Sequence, residues 1–445
     1  MRRVDLRLPP LPRVEPRPAV VGGRLPWLGA APGMLGDPTA WFTEQRDRHG
    51  DTFVVDALGH RFVCVFGAAG VRSLYALPER EASFGLATYT MIRTKVPDEL
   101  FSDIRNPPHK LFGNQQVEGY LADLDTAMAA EVDRLGPAGT FDAFDEARRI
   151  GHRLGLASWA GREAASPAYV EQLMAALDRL DTSESFVHPL RTAVTIATRK
   201  VRERRAMAEV ESTMATILDG RRRRLGQRPG DFLDRIDESF ADVAQPHHDR
   251  LVARDVIVLH LGSQSNLFAA LAWTLVHLLD APDDLAAVRG GDDALADRYA
   301  YESIRVAQRS ITMRQVLRPV ELDVGDAVHR VDPGALVTTM LSVTNTTVDA
   351  RLGRFDPGHY DGRRLQVAGE LAAKELVSTF GHGAHSCPAQ RFSISAIRTA
   401  VRSLVDRYDL TPQYPDLPRP LTRQIGGVAR ADRPTPVAYR VRRQG

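Results

Sequence analysis

A single cysteine, Cys387, stands in the segment FGHGAHSCPAQRF (380–392), between glycine-rich sequence and the start of an apolar-striped run. A thiol just ahead of a helix meets unpaired backbone N–H groups and the positive end of the helix dipole, both of which favour its thiolate. Gly381 and Gly383 let the preceding backbone turn closely, and Pro388 occupies a position where a missing N–H costs nothing. An anionic sulfur so placed has three uses: nucleophile, redox switch, or axial ligand to haem iron. A nucleophile wants a base, and His382 and His385 are close in sequence, so spacing alone leaves a cysteine hydrolase as the rival reading. A second pair, Glu302 and Arg305 in YESIR, lies one helical turn apart on one face. Alone, it reads as a surface salt bridge. The other cysteine, Cys64, falls in a β-rich run and reads as a small buried thiol.

The elements that must carry these residues follow from periodicity. From Pro388 to Tyr408 the apolar residues Phe392, Ala396, Ile397, Ala400, Val401, Leu404 and Val405 recur at steps of three and four, predicting a helix with one buried face that begins immediately after Cys387. DTFVVDALGHRFVCVF predicts two strands about a turn at Leu58-Gly59-His60. Residues 107–300 read as helices without an internal repeat, and 319–350 turn β-rich. The longest apolar stretch, 251–279, contains Arg254, Asp255, His260, Gln264 and Asn266, which predicts a buried helix rather than a membrane span. Residues 1–40, rich in proline and glycine, read as an irregular arm. The expected whole is mainly α with small β-sheets, one domain over residues 1–445.

Composition narrows the class. A hydrophobic content of 43% with 26% charge is ordinary for a globular chain, and a formal net charge of +2 gives no general attraction to nucleic acid. The arginine runs at 202–205 and 221–224 read as solvated helix faces. Two cysteines make neither a disulfide framework nor a metal finger, so a reducing compartment is expected. The first residues show no signal peptide or anchor, which predicts a cytoplasmic protein that does not associate with a membrane. Arginine far exceeds lysine, pointing to a GC-rich bacterial genome.

The wider frame decides what the thiol is for. Phe380, Gly383 and Cys387 reproduce the F-x-x-G-x-x-x-C pattern of the cytochrome P450 family, and Glu302 and Arg305, 85 residues ahead of the cysteine, resemble its E-x-x-R helix pair. VVGGRLPWLG, NPPHKLF, the long apolar helix and RFDPGHY follow the family's order, so the resemblance spans nearly the whole chain. It implies the cytochrome P450 fold and haem b, iron protoporphyrin IX, with Cys387 as the proximal iron ligand and Phe380 beside the sulfur. It also places Gly381 and Ala389 around the cofactor, and His385, Arg314 and His109 at the positions that pair with haem propionates. Thiolate ligation pushes electron density onto iron and favours O–O cleavage.

Four departures from the family pattern matter more than the matches. Ala389 replaces a glycine, His359 stands where an arginine normally joins the Glu-Arg pair, and Gly113 replaces an arginine. The fourth touches mechanism. The family's long helix usually carries an acid followed by an alcohol; with Gly262 opening that motif, Ser265 takes the acid's place and Asn266 the alcohol's. An amide does not titrate and serine is a poor proton donor at neutral pH, so proton delivery to dioxygen is handicapped. Gln-x-Asn here resembles the prostacyclin synthase branch, whose members rearrange an oxygenated substrate without a reductase.

The expected function is therefore a haem-thiolate enzyme of bacterial specialised metabolism that cleaves an activated O–O or N–O bond of its substrate and rearranges the product by oxo-, nitrene- or radical-type transfer. Ser265 and Asn266 are the candidate catalytic residues. The alternatives are a conventional monooxygenase fed by a ferredoxin or reductase, and a non-catalytic haem protein that presents a carrier-bound intermediate. By family position the pocket draws on Phe84, Tyr89, Met91, His260, Gly262, Asn266, Ile311, Thr312 and Val428. Few charges lie there, implying a mainly apolar small molecule with one polar handle.

Overall fold

The computed structural model describes residues 11–23, 27–103, 114–181, 194–224, 229–363, 365 and 371–443. The chain divides into two compact units. One comprises Met1–Met91, Gln308–Ser386 and Thr422–Gly426 and holds most of the β-structure; the other comprises Ile92–Ala307, Cys387–Leu421 and Gly427–Gly445 and is mainly helical.

The first unit is built on a six-stranded sheet in the order Ala19–Val21, Thr52–Ala57, His60–Val65, Leu336–Met340, Ile311–Val316, Ala82–Ser83. Its hairpin is the one the sequence predicts. Leu58 and Gly59 both take positive φ (52° and 77°), the two-residue turn whose twist suits antiparallel strands. Alternation along Thr52–Val65 turns Phe53, Val55, Cys64 and Phe66 into one apolar cluster, and Val54, Val63 and Val65 into another on the opposite face. Cys64 is fully enclosed there, and burial pushes its thiol far above the ordinary range, so it is an inert packing residue.

The described residues among 1–40 prove less irregular than expected. Val14–Glu15 pairs with Val328–Val331, and Ala19–Val21 pairs in parallel with Thr52–Ala57, so short extended segments between the prolines satisfy their backbone groups at sheet edges. The β-rich reading of 319–350 holds for Val320–Asp323, Val328–Val331 and Leu336–Met340, but Leu341–Thr347 is a short helix.

The second unit is organised around the 33-residue helix His247–Leu279. It is the only described helix long and apolar enough to cross a membrane, and most of it is buried within the protein. Enclosure on nearly every side explains why its sequence lacks a one-sided apolar stripe. Helix Ala143–Trp159 packs on it through two glycines one turn apart. A Cβ on Gly151 would come 2.3 Å from Phe268, and one on Gly155 would meet Trp159 at 2.6 Å and His260 at 3.2 Å. Helix Gln390–Arg407 buries Phe392, Ala396, Ile397, Ala400, Val401, Leu404 and Val405, the predicted face. It starts two residues later than predicted: Pro388 and Ala389 form a turn, and the N–H of Gln390 reaches back to the Cys387 carbonyl at 3.3 Å.

Candidate active site

Cys387 is partly buried, and the thiol is held at the mouth of helix Gln390–Arg407. Burial raises its pKa and a backbone hydrogen bond from Ala389 opposes the rise. Of the two, burial is the larger effect on the thiol. Ala389 delivers its N–H to the sulfur. Three residues past the cysteine, Gln390 donates its side-chain amide to the Tyr301 hydroxyl at 3.0 Å, tying the start of this helix to the residue before Glu302.

Glu302 and Arg305 form a fork-to-fork pair, Nε to Oε2 at 2.7 Å and Nη2 to Oε1 at 2.6 Å, and neither side chain is exposed. The surface-pair reading is excluded by that burial. Both ends of the guanidinium fork are used, so the pair can afford its desolvation only as long as both partners are present. On the facing turn of the long helix, His277 bonds Ser303 at 2.8 Å and stacks on Trp273. Burial pushes His277 down to about 3, with Glu302 opposing.

The middle of the long helix is different. Gly262 and Asn266 are exposed and Val258, Leu261, Ser263 and Ser265 half-buried, within a helix otherwise enclosed. Steps of four from 258 to 262 to 266 make one open stripe. A Cβ built on Gly262 would meet nothing within 4 Å. Asn266 faces this opening but is already engaged: its Oδ1 accepts the N–H of Val428 at 2.9 Å. Val428 itself is buried and offers the site little side-chain surface. Gln264 points away from the stripe, is 1% exposed, and neither its amide nitrogen nor its oxygen has a hydrogen-bond partner.

His260 requires a correction. Expected to line the pocket, it is fully enclosed on the opposite side of the helix, with both ring nitrogens committed. The Trp159 indole N–H donates to Nδ1 at 3.2 Å, so Nε2 carries the proton and donates to His152 Nδ1 at 2.9 Å. His152 then donates from Nε2 to Asp178 at 2.8 Å. The directions fix both tautomers, and the chain ends on an acid that also receives Arg148. Burial drives His260 well below its ordinary pKa, with His152 adding to the effect. Although burial works to raise Asp178, hydrogen bonds from His152 and Arg148 hold it below its usual value. This buried chain is absent from any reading of the sequence, because its members are brought together across 108 and 26 residues.

In the other unit, Arg314 lies on strand Ile311–Val316, 1% exposed. Its guanidinium reaches the Tyr75 and Ala82 carbonyls at 3.2 and 3.4 Å and Glu79 at 3.8 Å, and burial lowers its pKa. Glu79 also accepts the N–H groups of Phe84 and Gly85, capping helix Phe84–Ile92, where Phe84, Tyr89 and Met91 are half-buried. Thr312, half-buried like Ile311, shares its hydroxyl with Tyr75 at 3.4 Å; Tyr75 also donates to Ser378 at 3.2 Å, which accepts the Gly381 N–H at 3.2 Å. Gly381 and Gly383 both take positive φ (76° and 61°), and a side chain at Gly383 would meet open space. Phe380 is half-buried in this loop. His359 is buried on the 3-10 segment Pro357–Arg363, 4.0 Å from Asp356. His109 and the side chain of His385 lie outside the described residues.

These donors fit a haem. A partly buried sulfur that receives an N–H is a soft ligand for iron, and a buried arginine side chain offers the cation that an anionic propionate wants. A Cβ on Gly262 in the long helix, or on Gly383 in the loop before the cysteine, would meet nothing within 4 Å, so each leaves its own surroundings clear.

No model of a known protein family matches the chain. Among curated proteins, the cytochrome P450 monooxygenase pyvB of Aspergillus violaceofuscus is 23% identical over 416 residues, spanning 87% of this chain and 82% of its own. Abscisic acid 8'-hydroxylase 1 of Arabidopsis thaliana is 20% identical over 84% of this chain and 81% of its own. The human 24-hydroxycholesterol 7-alpha-hydroxylase is 20% identical over 96% and 94%. Among solved structures, retinoic acid bound cyanobacterial CYP120A1 superposes with a TM-score of 0.72 at 16% identity, over 96% of this chain and 99% of that one.

Proposed function

From the cytochrome P450 fold, and from a family that the named relatives support, we propose that the chain is a haem-thiolate enzyme that cleaves an activated O–O or N–O bond in a mainly apolar small molecule and rearranges the product without a redox partner. The observation that carries this reading is the open stripe of the long helix. Its exposed polar side chain is the amide of Asn266, the neighbouring hydroxyl is Ser265, and no carboxyl lies among the residues of the stripe.

A haem bound here would lend electrons to such a bond and recover them as the product rearranges, with the Cys387 thiolate as the electron-donating ligand that supports the cleavage. The chain supplies the rest. Cys387 is the proposed iron ligand, with the Ala389 N–H steadying charge on its sulfur. Arg314 is the proposed propionate partner. Asn266 donates a hydrogen bond to the substrate heteroatom as negative charge develops on it, a contribution that grows as the bond breaks. Ser265 holds a proton on its hydroxyl without changing charge. Gly262 leaves the helix face clear, while Phe84, Tyr89, Met91, Ile311 and Thr312 are the proposed apolar contacts. A cytoplasmic location and a place in bacterial specialised metabolism complete the proposal.

The second reading is a monooxygenase that takes electrons from a ferredoxin or reductase and oxygen from solution. The relatives favour it, since three carry the word monooxygenase or hydroxylase in their names. A screen of candidate peroxides and N–O compounds under argon without NAD(P)H, read by mass spectrometry, separates the two. Turnover under argon supports the first; product only with oxygen and a reductase supports the second.

A further inference from the structure

We infer that the segment Gly427–Ala429 locks the Asn266 amide with its oxygen turned inward and its two N–H bonds turned to the open stripe, so that the enzyme selects ligands whose polar handle is a hydrogen-bond acceptor. This rests on the reading of that stripe as the substrate face and goes beyond it by fixing which end of the amide the substrate meets.

An asparagine side chain left free turns either end toward a ligand, because its oxygen and nitrogen differ little in shape. Here the choice is made by chemistry. Val428 offers an N–H, which only the oxygen end of the amide can accept, and the separation is 2.9 Å. Gly427 closes the other route. Its φ is +64°, and a Cβ built on it would fall 2.9 Å from the same Oδ1, so the oxygen occupies space that exists only because residue 427 has no side chain.

The segment itself cannot drift away and release the oxygen. The next residue, Ala429, donates its N–H to the Ala307 carbonyl at 2.8 Å and accepts the Trp273 indole N–H at 2.6 Å. Asn266 and Trp273 are seven residues apart, two turns along one helix face, so one helix grips the segment at both ends. Val428 is 3% exposed, which removes water as a competitor for its N–H. Asn266 as a whole remains exposed, and with its oxygen committed inward the exposed polar part is the NH2 group. A carbonyl, ether, peroxide or N-oxide oxygen is served by this arrangement; a handle that must itself donate finds no acceptor on Asn266.

Two measurements on the haem-loaded protein test the inference. The first is amide hydrogen exchange in the peptide containing Val428. Asn266→Ala is expected to speed exchange there at least tenfold and Gly427→Ala to do the same, while Asn266→Asp, whose carboxylate still accepts the N–H, leaves protection near the wild-type level. The second uses a pair of probes of similar shape, 2-undecanone and 2-methylundec-1-ene, with binding followed by the shift of the Soret band. The wild type is expected to bind the ketone about five- to tenfold more tightly, the scale of one neutral hydrogen bond. Both Asn266→Asp and Asn266→Ala lose that preference. Slow exchange at Val428 in Asn266→Ala overturns the lock. A retained ketone preference in Asn266→Asp, or none in the wild type, overturns the ligand class. Absence of the thiolate signature in the wild-type carbon monoxide complex sinks the haem-thiolate reading instead, and leaves the exchange result standing.

Discussion

Within the helical unit, the neighbourhood of Glu302 and Arg305 and the stripe around Asn266 use polar side chains in opposite ways. Around the Glu-Arg pair both charges are fully buried, and each uses its full fork on the other. At the stripe Asn266 is exposed and spends only one end of its amide on the protein. The contrast separates polar groups that hold the fold from polar groups kept available to a ligand. The first are satisfied and closed, the second anchored on one side and open on the other. Substitutions in the first region therefore act on folded protein, and in the second on ligand selection.

The largest expected effect is at the sulfur. Cys387→Ser abolishes the band near 450 nm in the reduced carbon monoxide complex, because serine is not a comparable soft donor, whereas Cys64→Ser, buried in the sheet, preserves it. Reversed outcomes would reassign the ligand. Next comes the buried pair: Glu302→Ala or Arg305→Ala strands a charge in the interior at a cost of about 3–5 kcal/mol, read as loss of soluble, haem-loaded protein and a lower denaturant midpoint. An unchanged midpoint in both variants would place the pair outside the stabilising core.

A smaller effect belongs to pH. His277 is driven down to about 3 by burial, against an ordinary value of 6.5, so the folded state resists its protonation while the unfolded chain does not. The unfolded state then binds more protons as pH falls from about 6.5 towards 3. The stability due to neutral His277 is complete above that range and is lost progressively through it, by about 2 kcal/mol at pH 5. Chemical denaturation of His277→Asn between pH 7 and 5 should show a shallower slope than wild type. The smallest effect is at Gly262. A methyl there meets nothing within 4 Å, so Gly262→Ala should leave stability unchanged or raise it by up to about 1 kcal/mol through helix propensity. Thermal unfolding of the substrate-free protein checks this, and a loss of stability would show that the stripe is packed rather than open.

Legibility followed the range of the interactions. The hairpin, the buried Cys64, the amphipathic helix after Cys387 and the same-face placement of Glu302 and Arg305 depend on neighbours within a few turns, and the sequence displays them. The helix start was misplaced by two residues because Pro388 is equally at home in a turn. His260 was misassigned for a different reason. Its position two residues before Gly262 suggests the pocket, but its side is chosen by His152 and Trp159 on another helix, 108 and 101 residues away. The inward end of Asn266 was hidden in the same way, since Val428 lies 162 residues on. Tyr75, Ser378 and Asn345, which together brace the loop before the cysteine, carried no recognisable spacing at all.

The two glycines at 151 and 155 have a bearing on how such an enzyme changes its appetite. They let the long helix rest on a neighbouring backbone from behind, with Phe268 at one glycine, and Trp159 and His260 at the other, filling the room that two methyl groups would take. The helix is thus shimmed on the side no ligand touches. Adding one carbon to a shim moves the whole bar, and with it the stripe of Gly262 and Asn266, towards the space where a substrate is proposed to lie. The depth of the proposed site is then expected to respond to mutations that would look, on any map of ligand contacts, entirely irrelevant.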